Sequence, residues 1–265
     1  NENPIQGANS ATLALRGLRF QDAGAYDCMV TDGALAIRSA VATLTVMERA
    51  VLVQGPTPVS VPAGATAVFS ASAQGSSPFI YRWRRNGTAV VNITNTSSVS
   101  ILVISNVQAI NAGNYSVVVA NAASASPASP NAALTLVTDT DADGIPNDWE
   151  VANGLNPDSA NDALRDTDGD TVNNRDEYIS GTNPSDPLSY LKVTSARTSQ
   201  EGVILEFHAV PNRTYSVLYR SVLGQGSWML LKNVPSGTGA RTERITDPEG
   251  TGDSRYYRLL TPAIP

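Results

Sequence analysis

The chain has 265 residues, a formal net charge of −6 at pH 7 and one cysteine, Cys28. It has no apolar run of about 18 residues, which excludes a helical membrane span, and a lone cysteine excludes an internal disulfide framework. Its length predicts two or more domains, and its strand-forming residues, frequent Gly, Pro, Ser and Thr, and lack of long helical periodicity predict small all-β domains.

A segment near the N-terminus recurs later in the chain. The stretch LALRGLRFQDAGAYDCMV at 13–30 aligns with LVISNVQAINAGNYSVVV at 102–119, which indicates two copies of one module. Tyr26 and Tyr115 occupy the same position in the two copies. The pattern resembles the corner between strands E and F of immunoglobulin-like domains, where this tyrosine bonds back to the backbone.

The first copy, residues 1–48, contains only the equivalents of strands E, F and G, at 11–47. It lacks a strand B and the partner that Cys28 would have in the family disulfide. We expect the chain, which starts at NENPIQG without a signal-peptide pattern, to be part of a longer protein. Two explanations stay open: a truncated unit, or a unit whose missing strands come from a neighbouring copy of the chain.

The second copy, residues 49–137, is predicted to be a complete immunoglobulin-like sandwich. GATAVFSASAQG at 64–75 resembles strand B, and FIYRWRRNG at 79–87 resembles strand C with Trp83 as the core tryptophan. Ala71 and Val117 stand where the family usually has its two cysteines. An apolar pair there forgoes a disulfide contribution of about 2–4 kcal/mol, which packing must offset.

Residues 138–187 hold 13 of the 24 acidic residues and only two arginines. This segment therefore carries a net charge of −11 and the remainder about +5, a distribution that indicates a bound cation and not nucleic acid. A solvated acidic linker is the alternative.

The stretch DTDADGIPNDWE places oxygen ligands with the spacing of an EF-hand calcium loop. Such loops bind through positions 1, 3, 5, 7, 9 and 12, with a backbone carbonyl at 7, a bidentate Glu at 12 and a turn glycine, here Gly144, at 6. The six predicted ligands are Asp139, Asp141, Asp143, Ile145, Asn147 and Glu150.

A second loop, DTDGDTVNNRDE, follows at an offset of 27 residues. Its predicted ligands are Asp166, Asp168, Asp170, Val172, Asn174 and Glu177. Thr171 replaces the turn glycine, and because a β-branched residue resists positive φ, this site is expected to be weaker or differently shaped. A short helical turn ended by glycine and then proline is predicted after each loop.

The phrases DADGIPNDWE, GLNP, NNRDEY and GTNP resemble thrombospondin type 3-like, or dockerin-like, calcium repeats of secreted bacterial proteins. The resemblance implies about two Ca²⁺ ions in a spacer with little core of its own, and Mg²⁺ suits an all-protein oxygen cage less well. The flanking helices are too short for a signalling EF-hand, so a mechanical role is expected: the ions stiffen a junction, with Trp149 and Tyr178 packed over a shared small core.

Residues 188–265 are predicted to form a β-sandwich of about six strands. In GVILEFHAV, Val203, Leu205 and Phe207 alternate with Ile204, Glu206 and His208. The phrases YSVLYRS, GSW and DSRYYRL resemble the fibronectin-III-like modules that follow such calcium repeats. The fold class is therefore mainly β: tandem immunoglobulin-like sandwiches, a calcium-loop region with short helices, and a C-terminal sandwich.

No catalytic motif is found, and the one histidine, His208, is expected on the surface. The sequence favours a non-catalytic, extracellular or cell-surface spacer or adhesion region stiffened by calcium, without nucleic-acid partners. One alternative is a carbohydrate-binding region that uses Trp228, Tyr256 or Tyr257 against a cell-surface polysaccharide. Another is a surface filament of neighbouring copies joined through the incomplete first domain.

Overall fold

The computed structural model describes residues 4–33, 35–251 and 254–265. Strands dominate it and only two short α-helices occur among these residues, so the predicted mainly-β class is confirmed. Within the described part of the chain, no helix is both long and apolar enough to cross a membrane.

The first copy of the repeat forms two small two-stranded sheets. Strand β1 (Gly24–Tyr26) pairs with β4 (Ala42–Leu44), and β2 (Met29–Asp32) pairs with β3 (Leu35–Arg38). A single 3-10 turn, Phe20–Asp22, precedes them. The hydroxyl of Tyr26 donates to the carbonyl of Asp22 at 2.6 Å, so the predicted corner is formed.

The strand E predicted at the start of this copy does not form: residues 12–18 are in no strand. In the second copy the equivalent segment pairs with strand B, and no equivalent of strand B lies among the described residues here, so its backbone groups have no ladder to join. Large apolar side chains of this copy are consequently exposed: Leu13, Leu15, Leu18, Phe20, Met29, Val30, Leu35, Ile37 and Val41.

The second copy is a two-sheet sandwich. One sheet has the order β10-β7-β5 and the other β6-β12-β11-β8-β9, with only β6 and β12 parallel. The strands are β5 (Val51–Gln54), β6 (Val59–Pro62), β7 (Ala67–Gln74), β8 (Phe79–Arg85), β9 (Thr88–Asn95), β10 (Val99–Ile104), β11 (Gly113–Ala120) and β12 (Ala132–Val137).

Aromatic packing fills the core of this sandwich. Trp83 is fully buried and its Nε1 donates to Ser100 Oγ at 3.1 Å. The ring of Phe69 stacks on that of Tyr115, with 4.7 Å between centroids. Ala71 and Val117 are fully buried between the sheets, as the apolar replacement of a disulfide requires.

The acidic region contains the two predicted short helices, α1 (Asn147–Ala152) and α2 (Asn174–Ser180). Left-handed glycines follow them: Gly154 with φ of 73° and Gly181 with φ of 76°. Gly181 is the C-cap of α2 and adopts the left-handed conformation, which glycine adopts at lower cost than other residues.

The C-terminal unit is a second sandwich, of two three-stranded sheets ordered β13-β14-β17 and β16-β15-β18. Its core includes Leu205, Phe207 and Tyr215, while His208 is exposed, as predicted. The strands are β13 (Val193–Ser199), β14 (Gly202–Ala209), β15 (Tyr215–Arg220), β16 (Met229–Val234), β17 (Arg241–Asp247) and β18 (Tyr256–Leu260).

This C-terminal unit packs against the outer face of the β10-β7-β5 sheet. Ala263 forms a buried apolar cluster with Val99 and Ile101 of β10. Beside it, the backbone N–H of Ser236 donates to Ser70 Oγ at 2.9 Å. The acidic region therefore connects two sandwiches that are in direct contact, whereas a simple end-to-end chain of modules would leave that sheet face open.

Candidate metal centre

The first loop begins two residues after β12 and is turned by its own aspartates. Gly144 N–H donates to Asp139 Oδ2 at 3.0 Å, Asp143 N–H to Asp141 Oδ1 at 3.3 Å, and Ile145 N–H to Asp143 Oδ1 at 2.8 Å. One carboxylate oxygen of each aspartate accepts a hydrogen bond from a backbone N–H. Its other oxygen is buried and has no hydrogen-bond partner.

The second loop has a similar pattern of hydrogen bonds from backbone N–H groups to aspartate oxygens. Thr171 N–H donates to Asp166 Oδ2 at 2.8 Å, Asp170 N–H to Asp168 Oδ1 at 3.2 Å, and Val172 N–H to Asp170 Oδ1 at 2.8 Å. Asp168 and Asp170 each keep one buried oxygen without a partner. Asp166 differs from Asp139, because it is exposed and its Oδ1 also accepts from Gly169 N–H at 2.7 Å. The same sequence spacing has thus produced two similar loops.

A helix delivers the last predicted ligand of each loop. Glu150 in α1 and Glu177 in α2 are both fully buried. Neither oxygen of Glu150 has a partner, and Glu177 has one oxygen without a partner while the other accepts from Thr182 at 3.2 Å. Buried carboxylates left unpaired are costly, since each ion loses several kcal/mol of hydration.

Carboxylate oxygens converge in each loop. One oxygen from each of Asp139, Asp141 and Asp143 lies within 4.8 Å of the others, and the same holds for the trio Asp166, Asp168 and Asp170.

Burial, followed by repulsion from the neighbouring aspartates, raises the pKa of Glu150 from 4.5 to about 7. Burial is also the main cause that raises the pKa of Glu177 to about 7. Both glutamates therefore ionise less readily than a solvent-exposed glutamate, and a positive charge beside them would favour ionisation.

The two ninth-position asparagines are engaged within the protein. Asn147 Oδ1 accepts from Thr140 N–H at 2.8 Å, and its Nδ2 donates to Thr140 Oγ1 at 2.6 Å. Asn174 Oδ1 accepts from Thr167 Oγ1 at 2.9 Å. Their visible role is to close the loops onto the helices, and direct ligation by either amide stays a prediction.

Both loops require left-handed backbone at their fourth and sixth positions. In the first loop these are Ala142, with φ of 60°, and Gly144, with φ of 98°. In the second they are Gly169, with φ of 85°, and Thr171, with φ of 79°. Each loop thus has glycine at one position and a strained side chain at the other, and the β-branched Thr171 is the less favourable case.

Asp162 joins the first site from outside both loops and was not predicted. One of its oxygens lies within 4.8 Å of oxygens from Asp143 and Glu150, and its side chain is buried. The 27-residue repeat offers no signal for it, because the equivalent position in the following repeat is Ser189. Only the folded path of the chain between the loops brings it there.

The donor set fits calcium. Among the described residues, every buried carboxylate oxygen without a partner belongs to this region, on Asp139, Asp141, Asp143, Glu150, Asp162, Asp168, Asp170 and Glu177. Hard oxygen ligands in this number suit Ca²⁺, which accepts six to eight oxygens, more than Mg²⁺, which keeps several waters. Backbone carbonyls of Ile145 and Val172 stand at the predicted seventh positions.

Aromatic contacts join the two loops to the C-terminal unit. Trp149 of α1 meets Tyr178 of α2 edge to face, with 5.5 Å between ring centroids. Arg213 of the C-terminal unit lies over the Tyr178 ring at 5.8 Å and donates to the Tyr178 carbonyl at 2.7 Å. The contact between Trp149 and Tyr178 is therefore present, and Arg213 extends it to the C-terminal unit. Packing of the two rings over bound ions stays a prediction.

The three aromatic residues considered for sugar binding form no flat exposed row. Trp228 is half-buried, with the Arg220 guanidinium 4.4 Å from its ring centroid. Tyr257 packs on the core and its hydroxyl donates to Asp247 at 2.9 Å. Tyr256 is half-buried.

Comparison with known protein families supports the predicted immunoglobulin-like fold of the second unit. Residues 51–121 match a family model described as Immunoglobulin domain. A solved chimeric titin Z1Z2, functionalized with a KLER peptide from decorin, is 26% identical and has a TM-score of 0.31, over 35% of this chain and 97% of that one.

Two multi-domain structures are also similar. Extracellular domains 3–5 of Drosophila OTK are 20% identical, with a TM-score of 0.36, over 46% of this chain and 42% of that one. Immunoglobulin domains 1–5 of Sidekick-1 are 22% identical, with a TM-score of 0.31, over 45% of this chain and 26% of that one. Within residues 51–121, the chain contains an immunoglobulin-like domain.

Proposed function

We propose that residues 138–187 bind two calcium ions, and that these ions hold the immunoglobulin-like unit and the C-terminal unit in a fixed relation. The observation that carries this proposal is the set of buried carboxylate oxygens without partners in the two loops. A cation at each loop would supply the missing charge and ligand for those oxygens.

The calcium region contacts both sandwiches through short connections. Thr138, next to the end of β12, accepts from Asn147 N–H at 3.0 Å. On the other side, Arg213 donates to the last turn of α2. An ion that fixes either loop would therefore fix the strand or loop attached to it.

This role suits a non-catalytic spacer or adhesion region outside the cell. Calcium sites of extracellular modules have dissociation constants of about 10⁻⁴–10⁻³ M, and extracellular calcium is abundant enough to fill them. Bound metal would supply the constraint that disulfides provide in many secreted proteins, and the single Cys28 supplies none.

Isothermal titration of the whole chain with CaCl₂ tests the proposal. We expect two ions per chain and no comparable binding of MgCl₂. The double variant Glu150→Gln with Glu177→Gln should lose both sites, whereas Asp148→Asn with Asp158→Asn, which removes the same charge from exposed positions, should keep both. Absence of calcium binding by the unaltered chain would refute the proposal.

One observation favours a second candidate, assembly of copies through the first unit. Residues equivalent by the repeat are buried in the complete unit but exposed here: Val107 is 0% exposed, whereas Leu18 is 43% exposed. A second copy of the chain would cover this face by strand pairing. Light scattering on the whole chain and on a version starting at residue 48 tests it, since only the former should associate.

A further inference from the structure

Asp162 lies in the turn between the two loops and is buried there, with 7% of its surface exposed. Its Oδ2 accepts from Asn156 N–H at 2.8 Å, while its Oδ1 is buried without a partner. The ion pairs among the described residues include none with Asp162. Burying a charged carboxylate without a counter-charge is costly, so a cation beside Asp162 would stabilise the fold.

The free oxygens around Asp162 face a common point. Its ligand oxygen lies within 4.8 Å of those of Asp143 and Glu150. Glu150 is fully buried and both of its oxygens lack partners. We propose that Asp162 is a ligand of the cation in the first loop, supplied from outside the twelve-residue loop, and that it couples this site to the second one. The inference rests on the proposed calcium binding.

The proposed coupling between the two sites follows from the hydrogen bonds that the backbone around Asp162 makes to the start of α2. Its carbonyl accepts from Asn174 Nδ2 at 2.8 Å and from Arg165 N–H at 3.0 Å. Asn174 N–H in turn donates to the Arg165 carbonyl at 2.9 Å. Asn174 begins α2, the helix that carries Glu177 to the second loop.

A cation that binds Asp162 therefore also fixes the turn at residues 162–165, to which the first residue of α2 is hydrogen-bonded. The first ion pre-organises the position of Glu177, so the second ion binds more tightly once the first is present. By linkage, the second ion must tighten the first by the same factor. The two loops then fill as one cooperative unit.

Calcium titration of Asp162→Asn in the whole chain tests this inference. We expect affinity at the first site to fall by about tenfold or more, as for loss of a metal-site group, and affinity at the second site to fall by about fivefold, the lower end of typical couplings. The control Asp158→Asn removes an equal charge from an exposed position in the same linker and should change either affinity by less than about twofold. Repeating both in Glu177→Gln isolates the first site.

Melting without metal separates a ligand from a merely structural residue. If Asp162 is a ligand, Asp162→Asn relieves repulsion and the metal-free protein melts no lower than the unaltered chain, while the calcium-loaded protein melts lower. Equal losses in both conditions would overturn the inference, as would two tight sites in Asp162→Asn. Failure of the unaltered chain to bind calcium would instead refute the proposed function.

Discussion

Thr171 shows how one residue sets the quality of a loop. Its φ of 79° lies in the left-handed region, which costs about 1–3 kcal/mol for a residue other than glycine. Thr171→Gly and Thr171→Asn should each raise the melting temperature of the calcium-loaded acidic region and tighten the second site, because both residues tolerate this conformation.

Asparagine distinguishes relief of strain from a general effect of added glycine. It relieves the left-handed strain without the extra unfolded-state freedom that glycine brings. Scanning calorimetry with calcium present measures both variants. A melting temperature at or below that of the unaltered chain for both would show that Thr171 is not strained in solution.

The raised pKa values of Glu150 and Glu177 predict an unusual pH dependence of the stability of the metal-free protein. Each has its pKa raised from 4.5 to about 7, so the protonated groups stabilise the fold at low pH and that stabilisation is lost as the pH rises from 4.5 through 7. The metal-free protein should therefore melt at a higher temperature at pH 5 than at pH 7.5.

Calcium should remove this dependence because the cation favours the charged carboxylates. The increase in melting temperature that calcium produces is expected to shrink as the pH falls from 7.5 to 5. Calorimetry at several pH values, with and without calcium, measures both trends. In Glu150→Gln with Glu177→Gln the metal-free slope should flatten, and an unchanged slope would assign it to other groups.

At the scale of elements, the tyrosine corner occurs twice in different surroundings. Tyr115 donates to the Asn111 carbonyl at 2.8 Å inside a complete sandwich, whereas Tyr26 makes the same bond in the incomplete copy. Tyr115→Phe should destabilise the immunoglobulin-like unit by about 1 kcal/mol, which lowers its melting temperature by about 4–8 °C.

Tyr26→Phe is the matched control for this prediction. It removes the same hydroxyl from a half-buried ring outside the complete sandwich, so the melting of residues 49–137 should not change. Calorimetry of the whole chain measures both variants. Equal effects would mean that the first unit and the second unfold together.

The elements that sequence predicted correctly are those fixed by local spacing. Trp83 and Tyr115 lie within a few residues of the features that define them, so their places in the core and at the corner can be read directly from the chain. The aspartate spacing likewise predicted that the carboxylate oxygens converge, whereas metal binding by them stays a prediction. The unpaired segment 12–18 was predicted as part of strand E because it repeats the apolar positions of residues 101–107. A strand also needs a neighbour, and local pattern does not supply one.

Asp162 and the contact between the sandwiches depend on the path of the whole chain. The stretch VSILVI of β10 is apolar on both faces, which is typical of a strand covered on both sides. Leu102 faces the sandwich core and Ile101 faces the C-terminal unit. The pattern therefore contained a sign of a second packing surface but not the identity of what covers it.

At the scale of the whole molecule, calcium loading and the contact between sandwiches should reinforce each other. Ile101 is 6% exposed beneath Ala263, whereas Ile110 of the same unit is 77% exposed. Ile101→Asp places a charge in the contact, and because a buried unpaired charge is costly, the two units should separate. The radius of gyration from small-angle X-ray scattering should rise, while Ile110→Asp leaves it unchanged.

Two further measurements assign any expansion to this contact. Ala263→Asp introduces the charge from the C-terminal side and should expand the molecule to the same extent, without lowering the melting of the immunoglobulin-like unit. Removing calcium from the unaltered chain should also increase its radius of gyration, because the metal-free loops no longer hold the region between the two sandwiches in one conformation. A radius that does not respond to calcium would mean that the sandwich contact alone holds the two units, and that the ions stabilise only the region between them.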